Sequence, residues 1–183
     1  MINLKKSIIL HYLSGFILIF LIVPLTEVLA EKGIINITIQ DTTFPNPRFT
    51  PGDSFKNSTK ERICTVGYTT EVRNVSITTK KKVFEEYSIP YPPPSGAYEI
   101  DHFIPLELGG DNDIKNLWPQ PSLPFPGFHD KDIVENYLHY EVCSKGMLLE
   151  EAQREITTNW FNVYKRMSSD EIVKFNYNNK LTY

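Results

Sequence analysis

Cysteine is scarce here: a chain of 183 residues holds only Cys64 and Cys143, and neither stands in a C-x-x-C pair. Without such pairs, a structural zinc module lacks the ligand spacing it uses. Positive charge is short as well. The 19 Lys and Arg residues are outnumbered by 22 Asp and Glu, a formal net charge of −3. No global basic field therefore advertises nucleic-acid binding, and any such contact has to be arranged locally. No internal repeat is visible. With 41% hydrophobic and 22% charged residues, the chain has the composition of one ordinary globular domain.

The long apolar run is confined to the N-terminus. Lys5 and Lys6 precede it, FILIFLIVPL (residues 16–25) is its densest part, and Val28-Leu29-Ala30 closes it with a small residue before Glu31. These features make residues 1–30 a secretory signal peptide cleaved after Ala30. The competing reading is an uncleaved membrane anchor through residues 8–29, which are enough to span a bilayer. Cleavage would remove Lys5, Lys6 and Glu27 and leave 17 basic and 21 acidic residues, a charge of −4. The product would be secreted, periplasmic or extracellular. In such a compartment, Cys64 and Cys143 are expected to form one disulfide, joining the segment before the central motif to the helix after it. Residues 31–58 carry Pro45, Pro47 and Pro51-Gly52 and no sustained apolar period, which predicts a loosely structured leader.

The most informative stretch is YEIDHFIPLELGGDNDIKNLWPQP, residues 98–121. An alternating segment runs into a Gly109-Gly110 turn rich in Asp and Asn, and a short apolar piece follows, which predicts strand, loop, strand. Asp101 and His102 then lie side by side on the first strand, with Asn116 at the start of the second. Neighbouring strand residues point to opposite faces, so the two cannot do one job unless the strand is irregular there. An imidazole supplies a base of near-neutral pKa, and a carboxylate holds a hard cation. Hydrolysis of a phosphodiester needs both.

The I-D-H-F-I-P-L-E-L-G-G-x-N-D-I-K-N-L-W-P wording resembles the HNH nuclease motif, the ββα-metal finger. With R-x-C-T-V-G-Y-T before it and K-D-x-x-E-N-x-L-H-x-x-V-C after it, the likeness to exported HNH proteins covers roughly residues 50–165. The resemblance implies that Asp101 is a metal ligand, that His102 is the general base, and that Asn116 holds the loop that aims the histidine. It also implies a further ligand on the following helix.

That helix is predicted over residues 129–144, with Ile133, Val134, Tyr137, Leu138 and Val142 as its apolar stripe. His129, Asp132, Asn136 and His139 share a roughly opposite face. His129 matches the family by residue type and place, and Asp132 is an equally plausible hard-metal ligand. Asn136, His139, Glu99 and Glu107 read as supporting or structural groups. Helices are also predicted over about 78–87 and 149–167, with Trp160 in the core, and a short fraying helix in the tail 168–183. Between Lys56 and Lys82, seven basic residues face only Glu61 and Glu71, a local excess of +5 that includes Lys80, Lys81 and Lys82. These lysines are candidates for phosphate-backbone contacts.

The expectation is therefore an α+β domain over residues 59–167, a small ββα-metal core with additional helices stapled by one disulfide. It would act as a metal-dependent endonuclease on DNA or RNA. The cofactor would be one divalent ion, Mg²⁺ by default with Mn²⁺ or Zn²⁺ also suited, and no small-molecule cofactor is expected. The rival is a non-catalytic module that keeps the fold and binds nucleic acid or the cell envelope.

Overall fold

The computed structural model describes residues 43–179. The signal or anchor segment 1–30, the first part of the leader and residues 180–183 lie outside the described residues. Within them the fold is mixed α+β, with six helices and one two-stranded antiparallel sheet. In chain order these are α1 (Lys60–Ile63), α2 (Tyr68–Val72), α3 (Ile77–Glu86), β1 (Tyr98–His102), β2 (Leu117–Pro121), α4 (Phe128–Tyr140), α5 (Leu149–Arg166) and α6 (Ser169–Asn179). None of the described helices is long and apolar enough to cross a membrane.

Apolar spacing decides what each helix buries. Ile133, Val134 and Leu138 of α4 and Ala152, Ile156, Trp160 and Val163 of α5 recur at three- and four-residue intervals and meet in one core, which Phe175 of α6 joins. Trp160 is fully buried, as expected of a core residue, and its indole N–H donates to the Thr43 carbonyl at 2.8 Å. The Cys64–Cys143 disulfide is present, with Cα atoms 5.7 Å apart. It ties the end of α1 to the π-helical turn Glu141–Lys145, in which the helix predicted to run to residue 144 ends.

One expectation needs correction. The second half of the leader is not loose. The Thr50 side chain is fully buried, donating to the Leu117 carbonyl at 2.8 Å and bonding the Tyr87 hydroxyl at 2.8 Å, while Phe44 packs on the core. These side chains are anchored one at a time, so no period in the sequence announces them. The short helix expected in the tail is present as α6, and it is anchored on the core. Phe175 of α6 is buried against Tyr137 and Tyr140, with ring centroids 5.6 and 5.5 Å apart.

The hairpin pairs Asp101 with Trp118 and His102 with Leu117. Directly opposed residues share a face, so Asp101 projects with Trp118 and His102 with Leu117. Asn116 closes a 3₁₀ turn (Ile114–Asn116) one residue before β2 begins, instead of starting the strand. The loop between the strands closes tightly at Gly110, where a Cβ would stand 1.7 Å from the Ile104 carbonyl oxygen. Only a residue without a side chain permits that approach.

Candidate active site

The end of β1, the loop before α2 and one side of α4 enclose a cleft of about 460 Å³. Its walls carry Glu99, Asp101, Glu107, Asp132 and Glu135, together with His102, and Arg73 is the one Lys or Arg among the lining residues. The strand terminates at His102, and this resolves the alternation problem. Asp101 and His102 leave β1 on opposite faces yet border the same cleft.

His102 is 3% exposed, and its Nε2 lies 3.3 Å from Asn112 Oδ1. Asn112 is oriented by two further bonds. Its Nδ2 donates to the Val72 carbonyl at 2.8 Å, and its Oδ1 accepts from the Asn74 N–H at 3.1 Å. The oxygen therefore faces the ring, and His102 carries its proton on Nε2 and keeps Nδ1 as the basic nitrogen. Burial depresses the imidazole pKa to about 4, against the opposing pull of the Asp101 charge and the Asn112 bond. At neutral pH the ring is uncharged and able to accept a proton.

Asn116 is fully buried, and both ends of its amide are used. Oδ1 accepts from the Ile104 N–H at 2.9 Å and from the Asp53 N–H at 3.3 Å, while Nδ2 donates to the carbonyls of Ile104 and Asp111, both at 2.9 Å. One side chain thus fastens the exit of β1, the Gly-Gly loop and the leader segment together.

Asp101 is held from two directions. Its Oδ1 accepts from the His102 N–H at 2.8 Å, and its Oδ2 accepts from the ammonium of Lys131 on α4 at 2.7 Å. Lys131 is fully buried and also donates to the His102 carbonyl at 2.8 Å and to Glu135. Burial alone would lower the pKa of this ammonium, and the carboxylates of Asp101 and Glu135 more than reverse that, raising it. Asp132 sits beside this cluster. Burial, followed by the charges of Asp101 and Glu99, pushes its pKa up to about 7. Glu99 and Glu135 are raised too, each chiefly by burial.

Of the helix residues named from sequence, α4 brings Asp132, Asn136 and His139 to the cleft and leaves His129 outside it. The His129 side chain is 79% exposed, with Nδ1 3.8 Å from Asp132 Oδ2. His139 contacts Cys143 Sγ at 3.3 Å and the Ile63 carbonyl at 3.2 Å. The Cys64, His139 and Cys143 ligand atoms are close enough to hold a metal, but the two sulfurs are spent on the disulfide. Lys80, Lys81 and Lys82 stand exposed on α3 outside the cleft lining, with Lys81 Nζ 5.3 Å from the centre of the Tyr91 ring.

Hard oxygens dominate the donor set, and the lining carboxylates outnumber the nearby cations, which is the chemistry of a hard-cation site. Asp101 and Asp132 both line the cleft and carry carboxylates of the kind a hard cation takes. Asp101 keeps a second lone pair on each oxygen, and the pKa of Asp132 is raised first by burial and then by the charges of Asp101 and Glu99. Sequence reasoning assigned no role to Asn112, Lys131 or Glu135, although all three are letters of the quoted motifs, and it counted Arg73 only among the basic residues between Lys56 and Lys82. Lys131 and Glu135 carried a faint signal as an i, i+4 pair of opposite charge, the spacing of a helix-face ion pair. Comparison with family models, with curated proteins and with solved structures gives no match.

Proposed function

We propose that this protein is an exported, metal-dependent endonuclease of the HNH type that hydrolyses phosphodiester bonds in DNA or RNA, with β1, β2 and α4 as its ββα-metal finger. The observation that carries the reading is a neutral, tautomer-fixed His102 beside Asp101 in a carboxylate-lined cleft. His102 Nδ1 takes the proton from an attacking water while the water oxygen bonds to phosphorus and the P–O ester bond breaks. Asn112 holds the tautomer through the transfer. Asn116 keeps the loop that carries the histidine from moving. Arg73 offers the guanidinium that receives the phosphate in an otherwise acidic cleft. A divalent ion held by Asp101 and Asp132 would supply charge neutralisation at the phosphate and the leaving oxygen. The exposed lysines of α3 would attract the flanking backbone without reading its sequence. The disulfide is compatible with an oxidising compartment, as an exported protein requires.

Plasmid cleavage by the disulfide-intact protein, with Mg²⁺, Mn²⁺, Zn²⁺ or EDTA, tests this reading. Metal-dependent nicking that EDTA abolishes is expected. A folded protein that cleaves neither DNA nor RNA with any metal overturns it. The alternative, a non-catalytic binding module of the same fold, draws on one observation. Both oxygens of Asp101 already have partners within the protein. Calorimetric titration with no divalent-ion binding would favour that alternative.

A further inference from the structure

Lys131 is the group whose presence the proposed chemistry does not require. A fully buried lysine is rare, because desolvating an ammonium costs several kcal/mol unless it is paired and bonded. Here its three N–H donors meet three oxygens: Asp101 Oδ2, the His102 carbonyl and Glu135 Oε1. No donor remains for substrate or solvent. Lys131 therefore acts only through the groups it touches. Two of them belong to the pair on which the proposed reaction depends. The Asp101 carboxylate bonds the His102 N–H on one side, and the ammonium bonds both that carboxylate and the His102 carbonyl on the other. The backbone of His102 is thereby gripped at both its donor and its acceptor. Two carboxylate oxygens and a carbonyl converging on one point are also the donor set of a hard-cation site.

We infer that Lys131 is a resident cation: it fills a metal-like position formed by Asp101, Glu135 and the His102 carbonyl. There it acts as the positioning residue for Asp101 and His102 and keeps a metal ion from binding in that position. The inference deepens the endonuclease reading and rests on it for the positioning role, whereas the occupancy of the position stands apart from activity. A permanent ammonium keeps the geometry of Asp101 independent of metal concentration and leaves the cleft side of the carboxylate cluster to the catalytic ion.

The test is Lys131→Ala, which vacates the position and leaves its oxygens. Free Mn²⁺, counted by electron paramagnetic resonance, should show the folded variant binding one more ion per chain than the wild type. An unchanged count in a folded Lys131→Ala protein overturns the inference. Should that variant fail to fold, Lys131→Met/Glu135→Gln keeps the net charge and fills the space. It should bind as many Mn²⁺ ions as the wild type but cleave about 100-fold more slowly in kcat, with KM little changed, as expected for a displaced catalytic pair. Unchanged kcat in this variant would overturn the positioning role. If the wild type cleaves no nucleic acid, the endonuclease reading falls, and the Mn²⁺ count of Lys131→Ala still decides whether Lys131 is a stand-in cation.

Discussion

The two ends of α4 are built by different means. Near its N-terminus, Lys131, Asp132 and Glu135 face β1, and order comes from directional bonds among buried polar groups. At its C-terminal end and in the π-helical turn that follows, Leu138 and Val142 are fully buried in the apolar core, and Cys143 closes the disulfide. Hydrogen bonds fix angles but add little net stability each, about 1 kcal/mol, while apolar burial and cross-links contribute stability without fixing an angle. The first end is suited to hold a reacting geometry and the second to keep the domain folded. The difference predicts that chemistry and stability can be removed separately.

The largest effects should come from Asp101→Ala and, a step behind it, His102→Ala. In the latter, cleavage should fall by a factor on the order of 10² to 10⁴, the range for a lost general base, with divalent-ion binding retained in calorimetry. Asp101→Ala should abolish cleavage and weaken the ion as well. Equal loss of metal in both variants would contradict the division of roles.

Next in size is the opposite end. The disulfide closes a sequence separation of 79 residues, for which the chain-entropy model gives about 4.5 kcal/mol. Urea unfolding of Cys64→Ser/Cys143→Ser should register a loss of that order, with cleavage per folded molecule within a few-fold of the wild type. A cleft that collapses in this variant while remaining folded would erase the distinction between the two ends.

The smallest effect is the dependence of stability on pH. The folded pKa of Asp132 is raised from 3.8 to about 7, so its contribution is intact below pH 4 and is lost as pH rises through 7. His102 works in the other direction. Its folded pKa is depressed from 6.5 to about 4, so stability is intact above pH 6.5 and is lost as pH falls through 4. Asp132→Asn should therefore raise the Tm of metal-free protein at pH 8 by a few degrees. It should also diminish the Tm rise that Mg²⁺ gives the wild type. A variant no more stable than the wild type at pH 8 would mean that the carboxylate is not frustrated.

Local wording made the frame legible. The hairpin, α3, α4 and α5 lie within a residue or a few of their expected positions because apolar period and turn residues mark them directly. The disulfide followed from there being two cysteines. Asp101, His102 and Asn116 were singled out because their wording resembles the HNH motif, and the structure brings Asp101 and His102 to one cleft and buries Asn116. The roles of Lys131 and Asn112 were not legible, since Lys131 meets Asp101 and His102 from 30 and 29 residues away and Asn112 is oriented by the Val72 carbonyl 40 residues away. The choice between His129 and Asp132 turned on helix rotation. Three residues advance the helix by nearly a full turn, and the remaining offset leaves the Asp132 side chain 19% exposed and that of His129 79% exposed. A periodic pattern read from sequence does not resolve that difference.

The anchored leader has a consequence for how short the protein can be made. A chain trimmed to begin at residue 59 would leave the Trp160 indole without the Thr43 carbonyl, the Leu117 carbonyl without the Thr50 hydroxyl and the Asn116 amide without the Asp53 N–H. The first loss touches the scaffold and the last touches the clamp behind the histidine. Limited proteolysis of the native protein should therefore leave the segment from Thr43 onward intact, and the smallest fragment that refolds on its own should still carry this N-terminal strap.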